Sequence, residues 1–328
     1  MACSGGSQGP EAGTLWSAAT PVVIGGTTTT EVSLVMARSA VVSYAAYNSP
    51  QPAITAAAVR SEAAGNGTGT SAKAGTHDIG SDQVGDTVRF QVTGLTAGNT
   101  YYVYLAAEPS VADPAPTDLD EVHSGSATLH PVQPAVSYTS TAVPGTIGYY
   151  AYLPENHYYR PTQKFPLLIF LHGSGEKGNG TTELNRVLVH GPPKLINAGQ
   201  SLAFITISPQ LPSAQGGWPV GLIDELIARA RTDYRVDTTR IYVTGLSMGG
   251  YGTWAYAQAR PTVVAAVVPI AGAGNPGAAC TMKNVPTWAF HGEADGTVSD
   301  SGSVQMVRAI NACSPGPAVA AKLTLYPG

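Results

Sequence analysis

A serine at position 247 stands between two glycines in the run Gly245-Leu246-Ser247-Met248-Gly249. An apolar run over 241–244 precedes it, and a small-residue run of helical character over 248–260 follows. A strand that feeds a helix through so sharp a turn strains the serine backbone and lifts its hydroxyl above the end of the sheet. Glycines are needed where the strand and helix backbones crowd. The chemistry such a serine could do is nucleophilic. A hydroxyl attacks poorly at neutral pH unless a base takes its proton, and the charge that develops on the substrate oxygen needs fixed donors. With 38 glycines in 328 residues, the pattern alone also fits a glycine-rich turn without chemistry. The segments able to supply donors, acid and base decide between the two.

Leu171-His172-Gly173-Ser174-Gly175-Glu176 follows the apolar run 167–171, where the second oxyanion donor of a strand-turn-helix hydrolase lies. The backbone N–H groups of Ser174 and Met248 are assigned to the oxyanion hole. His172 precedes this loop and is read as its hydrogen-bonding brace, not as the base, and Glu176 as a local cap or ion-pair partner. Phe290-His291-Gly292-Glu293-Ala294-Asp295-Gly296-Thr297-Val298 follows the next-to-last strand, the acid position in the chain order Ser, acid, His. Asp295 is assigned as the triad acid that orients the imidazole and stabilises the imidazolium, with Glu293 as runner-up. Alternatively, both carboxylates only fix the turn before the next helix. Trp218, after Gly216-Gly217, either lines an acyl or aromatic pocket or packs against the helix it opens. Trp254 and Trp288 read as core.

These residues need elements to hold them. Runs at 147–153, 166–171, 202–207, 241–244, 263–269, 287–291 and 322–326 read as strands. Helical runs lie over 220–230, with Ile223, Leu226, Ile227 and Ala230 at helical spacing, after Ser247, and over 303–312. Alternating helices and continuously apolar strands imply an α/β domain over 134–328, with a mostly parallel sheet covered on both faces. Residues 14–133 are rich in Thr, Val, Ser, Ala and Gly with short alternating runs at 40–47 and 87–92, which reads as an all-β, immunoglobulin-like sandwich. Within it, 92–104 resembles the E to F corner of fibronectin type III domains, with Tyr101 as the corner tyrosine. Asp78, Asp82 and Asp86 lack calcium-loop spacing and read as turn formers. A proline-rich turn falls at 112–116 and a linker at 130–134.

Charged residues are only 12% of the chain and the net charge is −4, which argues against nucleic acid or an anionic membrane as partner. No obligate protein partner is evident, and no metal site. No run of 18 apolar residues appears, and the first residues lack the basic and apolar regions of a secretory signal. Residues 1–13 read as a tether or tail. Cys3, followed by Ser, Gly, Gly, resembles the mature end of a bacterial lipoprotein, where it would carry lipid; an incidental cysteine in a disordered end is the alternative. Cys280 lies before strand 287–291, and Cys313 ends the helix after it. Both therefore fall at one end of a strand-helix unit, where a disulfide fits; two buried free thiols are the alternative.

Four segments carry a family resemblance: Leu171-His172-Gly173-Ser174-Gly175, Tyr234-Arg235-Val236-Asp237, the stretch 240–254 around Ser247, and Trp288-Ala289-Phe290-His291-Gly292. Through them residues 136–328 resemble the α/β-hydrolase esterases of the polyhydroxybutyrate depolymerase and feruloyl esterase type. An immunoglobulin-like module ahead of such a domain is similar to known bacterial esterases. The resemblance favours Asp295 over Glu293. It implies a serine carboxylic ester hydrolase that works through an acyl-Ser247 intermediate, without metal or organic cofactor, on acyl, feruloyl or polyester-type esters that include polymeric substrates. It further implies an extracytoplasmic protein, secreted or lipid-anchored. A serine peptidase on the same fold, or a surface-binding protein with an inactive hydrolase domain, are the alternatives. In the family the catalytic histidine follows a segment like Leu325-Tyr326-Pro327-Gly328, and no histidine occurs here after His291. The expectation is a chain truncated before its base, with that histidine just beyond Gly328 and the final helix over one sheet face lost with it.

Overall fold

The structure, a computed structural model, describes residues 14–17, 21–110 and 116–327. Cys3, residues 112–115 of the proline-rich turn, and Gly328 lie outside the described residues. The chain divides into two compact units, Met1–Pro131 and Val132–Gly328.

In the first unit, strands β1 (Val22–Gly25), β2 (Thr30–Val35), β3 (Ala40–Tyr47), β4 (Lys73–Ile79), β5 (Thr87–Val92), β6 (Thr100–Pro109) and β7 (His123–Thr128) form two antiparallel sheets, β1-β2-β5 and β4-β3-β6-β7. Strict alternation in β5 buries Val88, Phe90 and Val92 and exposes Thr87, Arg89 and Gln91. That is the pattern of a strand with one face on the core and one in water. Val32, Leu34, Val42, Val103 and Leu105 complete this core. Tyr101 is buried, and its hydroxyl accepts the N–H of Thr96 at 3.1 Å.

The unit departs from the all-β expectation in one respect, helix α1 (Ala56–Ala63). The Thr55 side chain caps it by accepting the Ala58 N–H, and three consecutive alanines favour it locally. Its Ala56 and Val59 pack on Ala45, Tyr47, Tyr104 and Ala106, so β3 and β6 are buried on both faces.

The second unit is one eight-stranded sheet. Strands β8 (Ala135–Thr139), β9 (Thr146–Tyr152), β10 (Phe165–Leu171), β11 (Ile205–Pro209), β12 (Val236–Leu246), β13 (Ala266–Ile270), β14 (Trp288–Gly292) and β15 (Lys322–Tyr326) stand in the order β15-β14-β13-β12-β10-β11-β9-β8. β8, β9 and β11 pair antiparallel and every other neighbour pair is parallel. Helices α2 (Glu155–Tyr159), α3 (Gly191–Asn197), α4 (Val220–Asp233), α5 (Met248–Ala259) and α6 (Ser301–Asn311) connect them. The arrangement fits an α/β-hydrolase-like fold. Helix α4 buries Leu222, Ile223, Leu226, Ile227 and Ala230 along one stripe, and each such aliphatic side chain contributes about 1.5–3 kcal/mol relative to exposure. Trp254 on α5 is fully buried in the same core.

Trp288 corrects the sequence reading: it is 46% exposed, not core. Register pairs Trp288 with Lys322 and Gly292 with Tyr326, so Trp288, Phe290 and Tyr326 share one face of the sheet. Their rings form a column with centroids 5.0 Å and 6.4 Å apart, open to solvent at both ends. The Trp288 indole N–H donates to Thr324 Oγ1 at 2.9 Å. The opposite face of β14, with Ala289 and His291, is buried. An apolar run tells that a strand is apolar on both faces, not that both are covered.

Cys280 and Cys313 form a disulfide with Cα atoms 5.7 Å apart, joining the 3₁₀ turn Pro276–Met282 to the end of α6. Closing a loop across a separation of 33 residues stabilises by about 3–4 kcal/mol in the chain-entropy model.

Candidate active site

The C-terminal ends of β10, β12 and β14 lie within four adjacent strands of one sheet, and the loops leaving them carry Ser174, Ser247 and Asp295. Crevices at this end of parallel sheets are where α/β folds build sites. Ser247 occupies the single residue between β12 and α5, at φ 55° and ψ −117°. Positive φ is strained for a residue with a Cβ, at a cost of about 1–3 kcal/mol. The surroundings impose it: Ser247 N–H donates to Ile270 O at 2.9 Å, and Ser247 O accepts the Tyr251 N–H at 3.0 Å. A Cβ on Gly245 would lie 2.5 Å from Gly249 O, and one on Gly249 would lie 1.8 Å from Leu171 O. Glycine at both positions is therefore a packing requirement of β10, β12 and α5.

Ser174 opens a 3₁₀ turn, Ser174–Glu176, and Met248 opens α5. The first N–H groups of helical turns have no partner within the helix, so both can serve a ligand. Ser174, Ser247 and Met248 line one pocket of about 560 Å³, with Lys177, Trp218 and Tyr251 among its walls.

His172 is fully buried behind this loop. Its Nε2 accepts the Leu211 N–H at 2.9 Å, which leaves Nδ1–H to donate to Gly173 O at 2.5 Å. Burial, with the nearby Lys177 charge as a smaller cause, pulls its pKa down to about 4, so the ring is neutral at neutral pH. With both nitrogens engaged it braces the loop. Trp218 lies along the pocket, and its Nε1 donates to His172 O at 3.1 Å, which ties it to the same loop.

Asp295 sits in the turn after β14, a quarter exposed and outside the pocket lining. Its Oδ1 accepts the N–H groups of Val298 at 3.0 Å and Thr297 at 2.9 Å, and these bonds hold its carboxyl below the usual carboxylate range. Its Oδ2 lies 3.7 Å from His291 Nε2. His291 is buried and committed elsewhere, with Nε2 2.8 Å from Val298 O and Nδ1 2.8 Å from Ser303 Oγ. Glu293 is exposed, and its N–H donates to Tyr326 O at 2.8 Å, which ties the end of β15 to the Asp295 loop.

The structure thus gathers Ser247, Met248, Ser174 and Trp218 in one pocket and leaves Asp295 in a neighbouring loop. No histidine is among the residues lining that pocket. Among the described residues, no group of three or more His, Cys, Asp or Glu side chains is disposed to hold a metal ion. Two further buried residues support the loop: Gln210, which motif reasoning does not find, and Glu176, which the sequence reads as a local cap or ion-pair partner. Gln210 is fully buried; its Nε2 donates to Glu176 O at 2.9 Å and Glu183 O at 2.7 Å, and its Oε1 accepts the Gly180 N–H at 2.9 Å. Glu176, also buried, has Oε2 3.7 Å from His172 Nδ1 and Oε1 3.5 Å from His190 Nε2. A lone glutamine after a strand carries no sequence signal for such a role.

No family model matches the chain. It is similar to the bifunctional acetylxylan esterase/xylanase XynS20E of Neocallimastix patriciarum, 26% identical over 148 residues, which are 42% of this chain and 21% of that protein. The match thus spans about a fifth of that relative's length. Among solved structures, a thermostable esterase is 18% identical, covering 94% of this chain and 91% of its own, with a TM-score of 0.49. A ferulic acid esterase of Anaeromyces mucronatus, solved with ferulic acid, is 15% identical over 60% of this chain and 83% of its own, with a TM-score of 0.43. Among the described residues no helix is long and apolar enough to cross a membrane.

Proposed function

We propose that the chain is a serine carboxylic ester hydrolase acting through an acyl-Ser247 intermediate. One observation carries this reading: a strained serine at φ 55°, held at the end of β12, opens onto a pocket shared with two helix-starting N–H groups. Strain of this kind persists only where the surroundings enforce it, and it aims the hydroxyl at substrate. In the reaction, Ser247 Oγ attacks the ester carbonyl carbon while its proton passes to a base. The N–H groups of Ser174 and Met248 hold the oxyanion, and the alcohol leaves with that proton. Water then repeats the sequence on the acyl-enzyme and releases the acid.

The base in this proposal is a histidine of the segment following Gly328, as the family resemblance implies, with Asp295 as its acid. The bond from Glu293 N–H to Tyr326 O supports the placement, because it brings the chain leaving β15 to the Asp295 loop. Acyl, feruloyl and polyester-type esters are the proposed substrates. The two antiparallel sheets and the Tyr101–Thr96 contact of the first unit support an immunoglobulin or fibronectin type III-like module. The disulfide supports an extracytoplasmic location.

A fluorophosphonate tests the nucleophile. In the chain extended past Gly328, mass spectrometry is expected to find the adduct on Ser247, with loss of p-nitrophenyl acetate hydrolysis in step. Hydrolysis that continues with Ser247 unmodified would overturn the assignment, and faster turnover of peptide amides than of esters would make the enzyme a peptidase.

A further inference from the structure

The pocket beside Ser247 contains one formal charge, and it is positive. Its lining consists of glycines, Ser174, Ser247, Met248, Tyr251, an alanine, Trp218 and Pro219, with Lys177 as the sole ionised side chain. The Lys177 ammonium has three N–H donors. Two face backbone carbonyls, Gln215 O at 3.3 Å and Ser213 O at 3.5 Å, which orient the group without neutralising it. The adjacent carboxylate, Glu176, is buried outside the pocket lining, with Oε2 3.7 Å from His172 Nδ1 and Oε1 3.5 Å from His190 Nε2. The Trp218 indole N–H is committed to His172 O, so its ring offers the pocket an apolar surface that carries no acceptor. A ligand that enters between the indole and Lys177 meets an apolar face on one side and a positive charge on the other, and a negative charge complements the latter.

We propose that the pocket selects esters carrying a second, ionised acid group, that is, half-esters of dicarboxylic acids, with Lys177 as the residue that determines this specificity. The proposal rests on the reading of this pocket as the ester site. The ester carbon sits at Ser247 and the distal carboxylate takes the free donor of Lys177. The neutral esters that the fold otherwise accommodates lack that partner. The pair is partly solvated, so the preference is modest and falls with ionic strength.

The test compares monomethyl terephthalate with its neutral isostere methyl 4-carbamoylbenzoate, in Ser247→Ala protein so that neither is consumed. NMR titration at about 20 mM and at about 300 mM salt is expected to show the half-ester binding about fivefold more tightly at low salt, the scale of an exposed ion pair, with the preference shrinking at high salt. Adding Lys177→Met is expected to abolish the preference, with both ligands still perturbing the signals of the pocket residues, which shows that the pocket is intact; Lys177→Arg is expected to restore it. Equal affinity for the two esters, a preference that survives Lys177→Met, or no binding of either overturns the proposal. Failure of the underlying reading is seen separately, as absence of the Ser247 adduct in protein with native Ser247.

Discussion

The elbow at Ser247 and the loop of Asp295 leave strands of the same sheet, two places apart, yet they are held in opposite ways. At the elbow, backbone presses on backbone: two glycines are required, and Ser247 is anchored by its own N–H and C=O. The Asp295 loop is held by hydrogen bonds instead, with two N–H groups on one carboxylate oxygen, a backbone bond to β15 and the buried His291 ring on Val298 O, and its Gly296 could gain a Cβ without meeting any atom within 4 Å. A nucleophile must be placed to a fraction of an ångström, and its proton is handled at the same atom. In the proposed mechanism the acid acts only through the imidazole it orients.

The largest expected effects fall on activity, measured in protein that carries the proposed histidine. Ser247→Ala is expected to lower kcat by roughly 10⁶ and Asp295→Asn by about 10⁴, the scale of the same changes in serine proteases. Equal losses from both would end the distinction between nucleophile and positioning acid, and no loss from Asp295→Asn would return Glu293 to consideration.

Stability separates the loops next. Gly249→Ala drives a methyl group to 1.8 Å from Leu171 O and is expected to cost about 3 kcal/mol or more, or to prevent folding. Gly296→Ala should stay within about 0.5 kcal/mol. Urea unfolding midpoints give both values, and similar midpoints for the two variants would show that the elbow yields.

A smaller effect lies in pH. The folded-state pKa of His172 is depressed to about 4 from an unfolded value near 6.5. Its contribution is thus complete above about pH 6.5 and lost as pH falls toward 4, up to about 3 kcal/mol. Asp295 is depressed from a lower starting point, so its contribution holds down to about pH 4 and is lost below that, through its folded value. Unfolding midpoints against pH should lose their slope between 6.5 and 4 in His172→Asn, and change only below pH 4 in Asp295→Asn. A slope that survives His172→Asn assigns the titration to another group.

What the sequence made legible follows from the same contrast. The elbow is local, because five consecutive residues and their flanks state a turn whose steric demands only glycine meets. Cys280 and Cys313 could be paired because strand and helix directions fix which ends meet. Trp288 could not be placed, since periodicity reports the polarity of a face and not what covers it. Helix α1 was hidden among short strand-like runs, its alanines fitting either state. Gln210 and Lys177 are single polar residues whose roles depend on loops 20 or more positions away.

The placement of α1 has a consequence for how the first unit opens. With a hydrophobic core on one side of β3 and β6 and the helix on the other, this central pair has no wet face, whereas its flanking partners β4 and β7 alternate toward solvent. Fluctuations therefore peel the sheet from its margins inward. The amide protons of β3 and β6 are therefore expected to exchange only on unfolding of the entire unit, with these two strands as its cooperative kernel.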